Sequence, residues 1–285
     1  MNSRVKQWAK PVLMLAFFFA AAWFMPDGPI DPWGLFSLKK AAYMVFALAF
    51  IEVFGAVMIR LLGNRKGAIL TGFFGGLVSS TATTVALAKE SQETSAYELG
   101  KQTLTFLAAT MAMLIEGAVL LVLGTSQIHD ALLVIFLGPA LFAAVMIFVL
   151  ARKLPHRETA DGVPEIEILP ILKLSAFILG VLAVSRLLQN AFGQSGLAVL
   201  TFLVSLFEVH GSIIANIQLH DSDVLSVPFL GGLLAISATA SMVSKLFIIY
   251  TLASDLLWRT AIKYSAILIT SLGLSWAVFQ FFLSP

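Results

Sequence analysis

Residues 67–89 read GAILTGFFGGLVSSTATTVALAK, and this stretch decides how the chain is organised. Its apolar part, 67–88, is long enough to cross the hydrocarbon core of a bilayer. The middle nevertheless carries glycines and hydroxyl residues: Gly72, Gly75, Gly76, Ser79, Ser80, Thr81, Thr83 and Thr84. Lipid cannot satisfy backbone groups that a helix break sets free, so such a segment is tolerated only where protein or a cavity surrounds it. Broken apolar segments of this kind are typical of transporter binding sites.

The composition places the whole chain in a membrane. It is 59% hydrophobic and 12% charged, with a mean hydropathy of +0.94, which is too apolar for a soluble domain of 285 residues. The pattern predicts an all-α, polytopic helical membrane protein. No basic tract is interleaved with aromatic residues, so a nucleic-acid partner has no support. The chain has no cysteine, which excludes disulfides, thiolate metal sites and cysteine nucleophiles.

Apolar segments recur along the chain at 11–25, 41–62, 67–88, 102–123, 131–151, 170–189, 196–217, 228–251 and 264–283. A cleaved signal peptide at the first segment is the less favoured interpretation, because later segments can direct insertion themselves. We divide the single membrane domain into an N-terminal helix and loop (1–40), a first repeat (41–151), a linker loop (152–169) and a second repeat (170–285).

The two repeats are suggested by an ungapped offset of 129 residues. This offset places Gly67 on Gly196 and Phe73 on Phe202, and it carries the hydroxyl-rich break onto Glu208–His210. It also places Glu116 on Lys245. Each half then contains a spanning helix, a polar-centred segment, a helix with one buried charge and a final helix.

The direction of the repeats depends on the two polar-centred segments. If 67–88 and 196–217 cross the membrane, nine helices span it, the repeats are parallel, and loop cations are divided evenly between the two sides. If both segments re-enter, only Lys39 and Lys40 stay outside, as the positive-inside rule prefers. We therefore favour about 7 spanning helices with two re-entrant segments and an inverted repeat. This topology predicts a multi-pass protein of the bacterial inner (plasma) membrane with a cytoplasmic N-terminus.

Ionisable residues within apolar segments are costly in lipid and usually face a cavity or a partner. They are Glu52, Glu116, Arg186, Glu208, His210 and Lys245. For each, a structural role in locking helices together stays open beside a role in an ion path. Under the inverted repeat, Glu116 and Lys245 differ in depth by about 10 Å, so we predict that they do not pair directly. Each is expected to face the tip of a re-entrant segment.

Glu208 and His210 are the strongest ligand candidates, and the candidates for a metal. Two residues apart on a continuous helix they would point away from each other, but at an unwound tip both can face one cavity. A carboxylate with an imidazole suits a divalent metal or a proton relay. At the other tip, hydroxyls can cap a half-helix, orient backbone groups around an ion, or simply allow close packing. Those hydroxyls belong to Ser79, Ser80, Thr81, Thr83 and Thr84.

Residues 75–84, GGLVSSTATT, with Leu61–Gly63 and Gly67 before them, resemble the signature of an uncharacterised prokaryotic membrane domain. That domain often lies C-terminal to an MgtC/SapB-type module. The resemblance implies acidic residues at positions 208 and 210, an arginine near 116 and a lysine at 245. Glu208 and Lys245 keep this character, whereas His210 and Glu116 depart from it.

Enzyme signatures are missing: the sequence has no nucleophile elbow, phosphate-binding loop or HExxH motif, so we predict neither an enzyme nor a cofactor. The favoured function is a secondary transporter or channel for a small ion at a midplane site. A cation is preferred because Glu208 supplies negative charge, and the ion is either a divalent metal or proton-coupled. The alternative is a structural or regulatory membrane protein that binds a partner. The expected partners are the lipid bilayer and a small ion, and a homo-oligomer is left open.

Overall fold

The computed structural model describes residues 37–62, 67–93, 96–125, 130–153 and 193–283, with part of 13–28. Every regular element in these ranges is helical. In chain order they are α1 (Leu15–Phe24), α2 (Leu38–Leu62), α3 (Ala68–Glu90), α4 (Ala96–Gly124), α5 (Asp130–Ala151), α6 (Gly193–Ser205), α7 (Val209–Asp221), α8 (Val227–Leu252) and α9 (Asp255–Val278). A 3₁₀ turn, Ser91–Glu93, follows α3, and a π-helical turn, Phe279–Leu283, continues α9.

Six of these helices are long and apolar enough to cross a membrane: α2, α3, α4, α5, α8 and α9. Large apolar side chains such as Leu141 and Phe148 of α5 and Phe247 of α8 are exposed on the outside of the bundle. Exposed apolar surface on this scale is unfavourable in water and suits a lipid environment. The predicted all-α membrane class is therefore confirmed.

Helix α4 lies at the centre of the bundle and is the most deeply buried of the long helices. It packs against α2, α3, α5, α7 and α9. Small residues on its surface let neighbours approach closely, since a Cβ added to Gly76 of α3 would lie 2.6 Å from Ala109 Cα. In membranes, where no hydrophobic force drives helices together, this kind of close packing is a main source of association.

Helix α3 is broken at Ser79, whose φ of −169° and ψ of 107° are extended rather than helical. We call residues 68–78 its first limb and residues 80–90 its second limb. A Cβ built on Gly75 would lie 3.0 Å from Thr83 Oγ1. In a continuous helix these positions are about 12 Å apart. The two limbs therefore fold back on each other around Ser79.

Both ends of α3 consequently lie near the same part of α4. Thr105 Oγ1 of α4 donates a hydrogen bond to Ala68 O at the start of the first limb (3.2 Å). At the end of the second limb, Leu87 and Ala88 share a buried apolar cluster with Phe106 of α4. The segment thus returns to the level at which it began.

Helices α6 and α7 form a second fold-back of the same kind. A turn at Leu206–Phe207 and an extended Glu208 (φ −146°, ψ 96°) separate them. Across this break, Thr201 Oγ1 of α6 donates to Asn216 Oδ1 of α7 at 3.3 Å, inside the protein. We call α3 the first hairpin and α6–α7 the second hairpin.

The exit of each hairpin is bound to the other half of the chain. At the first, Ser91 Oγ accepts from Ser254 N (2.9 Å) and Gln92 Nε2 donates to Leu252 O (2.8 Å), which joins α3 to the α8–α9 turn. At the second, Asp221 pairs with Lys40 at the start of α2. We call these the Ser91 end and the Asp221 end of the bundle.

Two helices begin before the apolar segments that mark them in the sequence. Helix α9 begins at Asp255 instead of residue 264, because Ser254 Oγ caps it by accepting from Leu257 N and its early cations Arg259 and Lys263 are exposed. Helix α4 begins at Ala96 instead of 102, with Glu98 exposed in its first turn. The predicted segment 170–189, with Arg186, and most of the 152–169 linker lie outside the described residues.

Candidate functional site

The candidate site is built on the break of the second hairpin. Glu208 precedes the first turn of α7, and its Oε1 accepts from His210 N (3.0 Å) and Gly211 N (3.4 Å). A carboxylate at this position satisfies amides that have no partner within the helix and is favoured by the helix dipole. The cap fixes the start of α7, so that Glu208 and His210, two residues apart, face the same region.

The imidazole of His210 lies between two carboxylates. His210 Nδ1 is 3.6 Å from Glu208 Oε1, and His210 Nε2 is 3.2 Å from Glu116 Oε2 of α4. The ring therefore joins a carboxylate of the hairpin tip to a carboxylate of the central helix. Because the two ring nitrogens can bind a proton at one and release it from the other, this order of groups suits proton transfer.

Glu116 is only 1% exposed, and neither of its carboxylate oxygens has a hydrogen-bond partner among the described residues. His210 Nε2, 3.2 Å from Glu116 Oε2, is near enough for an ion pair. Most buried polar atoms in folded proteins are hydrogen-bonded, and a buried carboxylate without such bonds is costly. The Glu116 carboxylate thus retains capacity for a proton or a cation.

A third carboxylate comes from α2. Glu52 is half-buried and interacts electrostatically with Glu116, His210 and Glu208. One turn further along α2, a Cβ added to Gly55 would lie 2.9 Å from Phe74 O and 3.0 Å from Leu77 Cβ of the first hairpin. Helix α2 therefore passes the carboxylates near the second hairpin at Glu52 and reaches the first hairpin one turn later, at Gly55. We call Glu52, Glu116, Glu208 and His210 the acidic cluster.

Lys245 of α8 is fully buried near this cluster. Its Nζ donates to Ser241 Oγ (2.7 Å) and to Met113 Sδ (3.0 Å) and is 1% exposed. The ammonium interacts electrostatically with Glu116 and Glu208 but forms no direct ion pair with either of them. In the structure, Glu116 lies beside the tip of the second hairpin and forms no ion pair with Lys245.

The tip of the first hairpin is stabilised by hydroxyls. Ser79 Oγ accepts from Ala82 N (3.2 Å), so Ser79 caps the second limb, which is one of the three roles left open for these hydroxyls. Thr84 Oγ1 donates to Ser80 O (2.7 Å), and the Thr83 side chain faces Gly75. These contacts give Ser79, Thr83 and Thr84 local structural roles, while the Thr81 side chain is exposed at the tip.

A family model, described as a domain of unknown function (DUF4010), matches residues 47–280. The chain belongs to this family. The match covers both hairpins and the helices that carry the acidic cluster and Lys245. It agrees with the resemblance to an uncharacterised membrane domain, and its description gives no activity. No curated protein and no solved structure matches this DUF4010 chain.

In this DUF4010 chain, the structure brings together Glu52, Glu116, Glu208 and His210 from three separate segments. Within the described ranges, no three His, Asp or Glu side chains are grouped closely enough to hold a metal ion. A metal site at Glu208 and His210 therefore stays a prediction. Sequence reasoning did not find the contact of Lys245 with Met113, because a methionine in an apolar helix normally indicates core packing.

Proposed function

We propose that this protein is a secondary transporter of a small cation, coupled to protons, whose site lies between the tips of two re-entrant hairpins. The observation that carries the proposal is the imidazole of His210 held between Glu116 and Glu208 inside an apolar helix bundle. Ionisable groups at this depth are expensive and usually mark ion pathways or proton relays. If the pair of His210 with Glu116 had only a structural role, hydrogen bonds would be expected to satisfy the buried Glu116 carboxylate. That carboxylate has none within the described part of the chain.

The proposed topology counts α3 and α6–α7 as re-entrant. The contact of Gly75 with Thr83 and the Thr201–Asn216 hydrogen bond support this, because each hairpin reverses direction at its break. Each limb has about 10 residues, which reaches the bilayer midplane at roughly 1.5 Å per residue. Helices α2, α4, α5, α8 and α9 then span the membrane, together with the predicted segments at 11–25 and 170–189.

An inverted repeat is supported by the boundaries of the helices. The offset of 129 residues carries the break at Ser79 onto the break at Glu208 and brings the bounds of α4 within two residues of those of α8. The two helices run in opposite directions, since α4 starts close to the Ser91 end and α8 finishes there. The first hairpin exits at the Ser91 end and the second at the Asp221 end, as inversion requires.

The chemistry favours a cation and a proton as the coupled species. The acidic cluster supplies three carboxylates, and a positive ion would replace the interactions that the Glu116 oxygens lack. Histidine is the side chain that ordinarily changes charge near neutral pH. A proton can pass between Glu116 and Glu208 by binding one nitrogen of His210 and leaving from the other. Binding of the cation and protonation of the cluster would then exclude each other by charge repulsion.

The positive-inside rule places the Ser91 end in the cytoplasm of a bacterial cell, because Arg152 and Lys153 follow α5 on that side. The association with MgtC/SapB-type modules implied by the resemblance stays a prediction. A carboxylate and an imidazole are ligands that divalent ions accept, so magnesium, manganese and zinc are to be tested beside sodium and potassium.

The test is proton flux in liposomes that contain the purified protein and a pH-sensitive dye. A gradient of one cation is imposed in each experiment: sodium, potassium, magnesium, manganese or zinc. For at least one of them, protons should move in the direction opposite to the flow of the cation. The variants Glu116→Gln and His210→Gln should fold and lose this flux. The control Glu98→Gln changes an exposed carboxylate of the same helix as Glu116, and His220→Gln changes a histidine at the far end of α7.

Both controls should keep the flux. Wild-type protein that moves no proton with any of the five ions would contradict the proposal and favour the structural or regulatory alternative. Normal flux in both Glu116→Gln and His210→Gln would show that transport, where present, uses a different path.

A further inference from the structure

The buried ammonium of Lys245 is held by neutral groups. Its hydrogen-bond acceptors among the described residues are Ser241 Oγ and Met113 Sδ, and Ser241 Oγ itself donates to Met113 Sδ at 3.0 Å. A thioether sulfur is a weak acceptor, and an ammonium buried away from water needs strong compensation. We call Ser241 and Met113 the clip, because together they fix where the charge lies.

The clip holds Lys245 beside the acidic cluster, where its ammonium forms no ion pair with the carboxylates of that cluster. Met113 lies three residues before Glu116 on α4, so their side chains are neighbours on one face of the helix. The charge on Lys245 acts on both Glu116 and Glu208, yet no carboxylate of the described residues is within ion-pair distance of its Nζ. A lysine side chain is long and flexible enough to bridge a gap of about one helical turn.

We propose that Lys245 tunes the affinity of the transport site: its charge, held outside ion-pair distance of the carboxylates by the clip, weakens cation binding to Glu116 and Glu208 enough for the ion to leave. This inference rests on the proposed function and names the residue that sets its affinity. Transport needs a site that binds well enough to load and weakly enough to release. A charge at a fixed distance does this without occupying the carboxylate oxygens that the ion needs.

The proposal gives opposite expectations for two substitutions. Lys245→Met removes the charge and keeps an apolar stem of similar shape, so a cation should bind about tenfold more tightly, which is within the usual range of coupling between sites. Ser241→Ala removes the strongest acceptor of the clip. The ammonium should then shift to the Glu116 carboxylate, compete with the ion, and weaken cation binding by about tenfold.

Calorimetric titration of the purified protein with sodium and with magnesium ions measures both effects. Lys263→Met is the matched control, since Lys263 is an exposed cation of α9 and its loss should leave the affinity unchanged. If Lys245 has only a structural role, Lys245→Met should have reduced thermal stability and unchanged or weaker cation binding. Tighter cation binding in Lys245→Met requires that the ammonium of the wild type opposes the ion.

Unchanged or weaker binding in a folded Lys245→Met protein overturns the inference. If that variant does not fold, Ser241→Ala decides, and unchanged affinity in Ser241→Ala then overturns it. The two proposals fail separately. If the wild type moves protons in exchange for a cation and both variants bind the cation like the wild type, only the role of Lys245 is contradicted. Wild-type protein that binds and moves no ion contradicts the transport function and this inference with it.

Discussion

A pair of cysteines placed across the first hairpin would test the reversal at Ser79 directly. The chain has no native cysteine, so Gly75→Cys with Thr83→Cys introduces the only two thiols. The ideal Cβ of Gly75 lies 3.9 Å from Thr83 Cβ. Disulfides form at Cβ separations of about 3.5–4.5 Å, whereas positions eight apart on a continuous helix are separated by about 12 Å. We therefore expect an intramolecular disulfide to form readily.

The assay is oxidation by a membrane-permeable copper catalyst, followed by maleimide labelling of the remaining thiols and measurement of the intact mass. The double variant should lose both labels and regain them after reduction, while staying monomeric on a non-reducing gel. The matched control is Ala266→Cys with Leu274→Cys, two exposed positions eight apart within the continuous helix α9. This control should keep both labels. Equal labelling of the two pairs after oxidation would refute the fold-back and the re-entrant topology built on it.

Two further predictions concern packing and sidedness. Gly76→Ala should lower the free energy of unfolding by about 1–3 kcal/mol, because the added Cβ would meet Ala109 Cα at 2.6 Å. Gly273→Ala is the control and should not destabilise, because a Cβ there has nothing within 4 Å. Thermal unfolding in detergent compares the two variants, and equal stability would contradict the close α3–α4 contact. An impermeant thiol reagent added to intact cells should leave Ser95→Cys unlabelled and label Ser226→Cys. The reason is that the α3–α4 and α7–α8 connections belong to opposite ends of the bundle. Labelling of Ser95→Cys from outside would contradict the inverted topology.

The sequence was sufficient to predict a break in α3, but it did not say which hydroxyl caps the second limb. Glycines before residue 77 and hydroxyls after residue 78 indicate a segment that cannot run straight through lipid, and the extended Ser79 is the first of those hydroxyls. The second break was harder to locate, because the residues around Leu206–Phe207 are apolar. There the signal was the charge of Glu208, which is tolerated at this depth because it caps α7.

What could not be predicted depends on tertiary distance. Nothing local to Glu116 indicates that its carboxylate lies 3.2 Å from His210, since the two residues belong to different segments and meet only through the packing of α4 against the second hairpin. Helix α9 begins nine residues before its apolar segment, because Ser254 caps a first part that carries the exposed cations Arg259 and Lys263. The contact of Lys245 with Met113 could not be predicted, because a methionine in an apolar helix normally indicates core packing.

Under the proposed inverted repeat, the two hairpin tips occupy equivalent positions but differ in charge. Ser79 and Glu208 are equivalent caps, one neutral and one charged, and Glu116 and Lys245 are equivalent positions on α4 and α8. The carboxylate of α4 reaches the tip of the second hairpin, which carries the negative cap. If the proposed repeat is correct, its two halves have diverged so that negative charge is concentrated at one tip and the balancing lysine lies on the equivalent helix. Under that repeat, a chain with duplicated architecture would hold one cation site instead of two, and the affinity of this site would depend on Lys245, the counterpart of Glu116 in the second repeat.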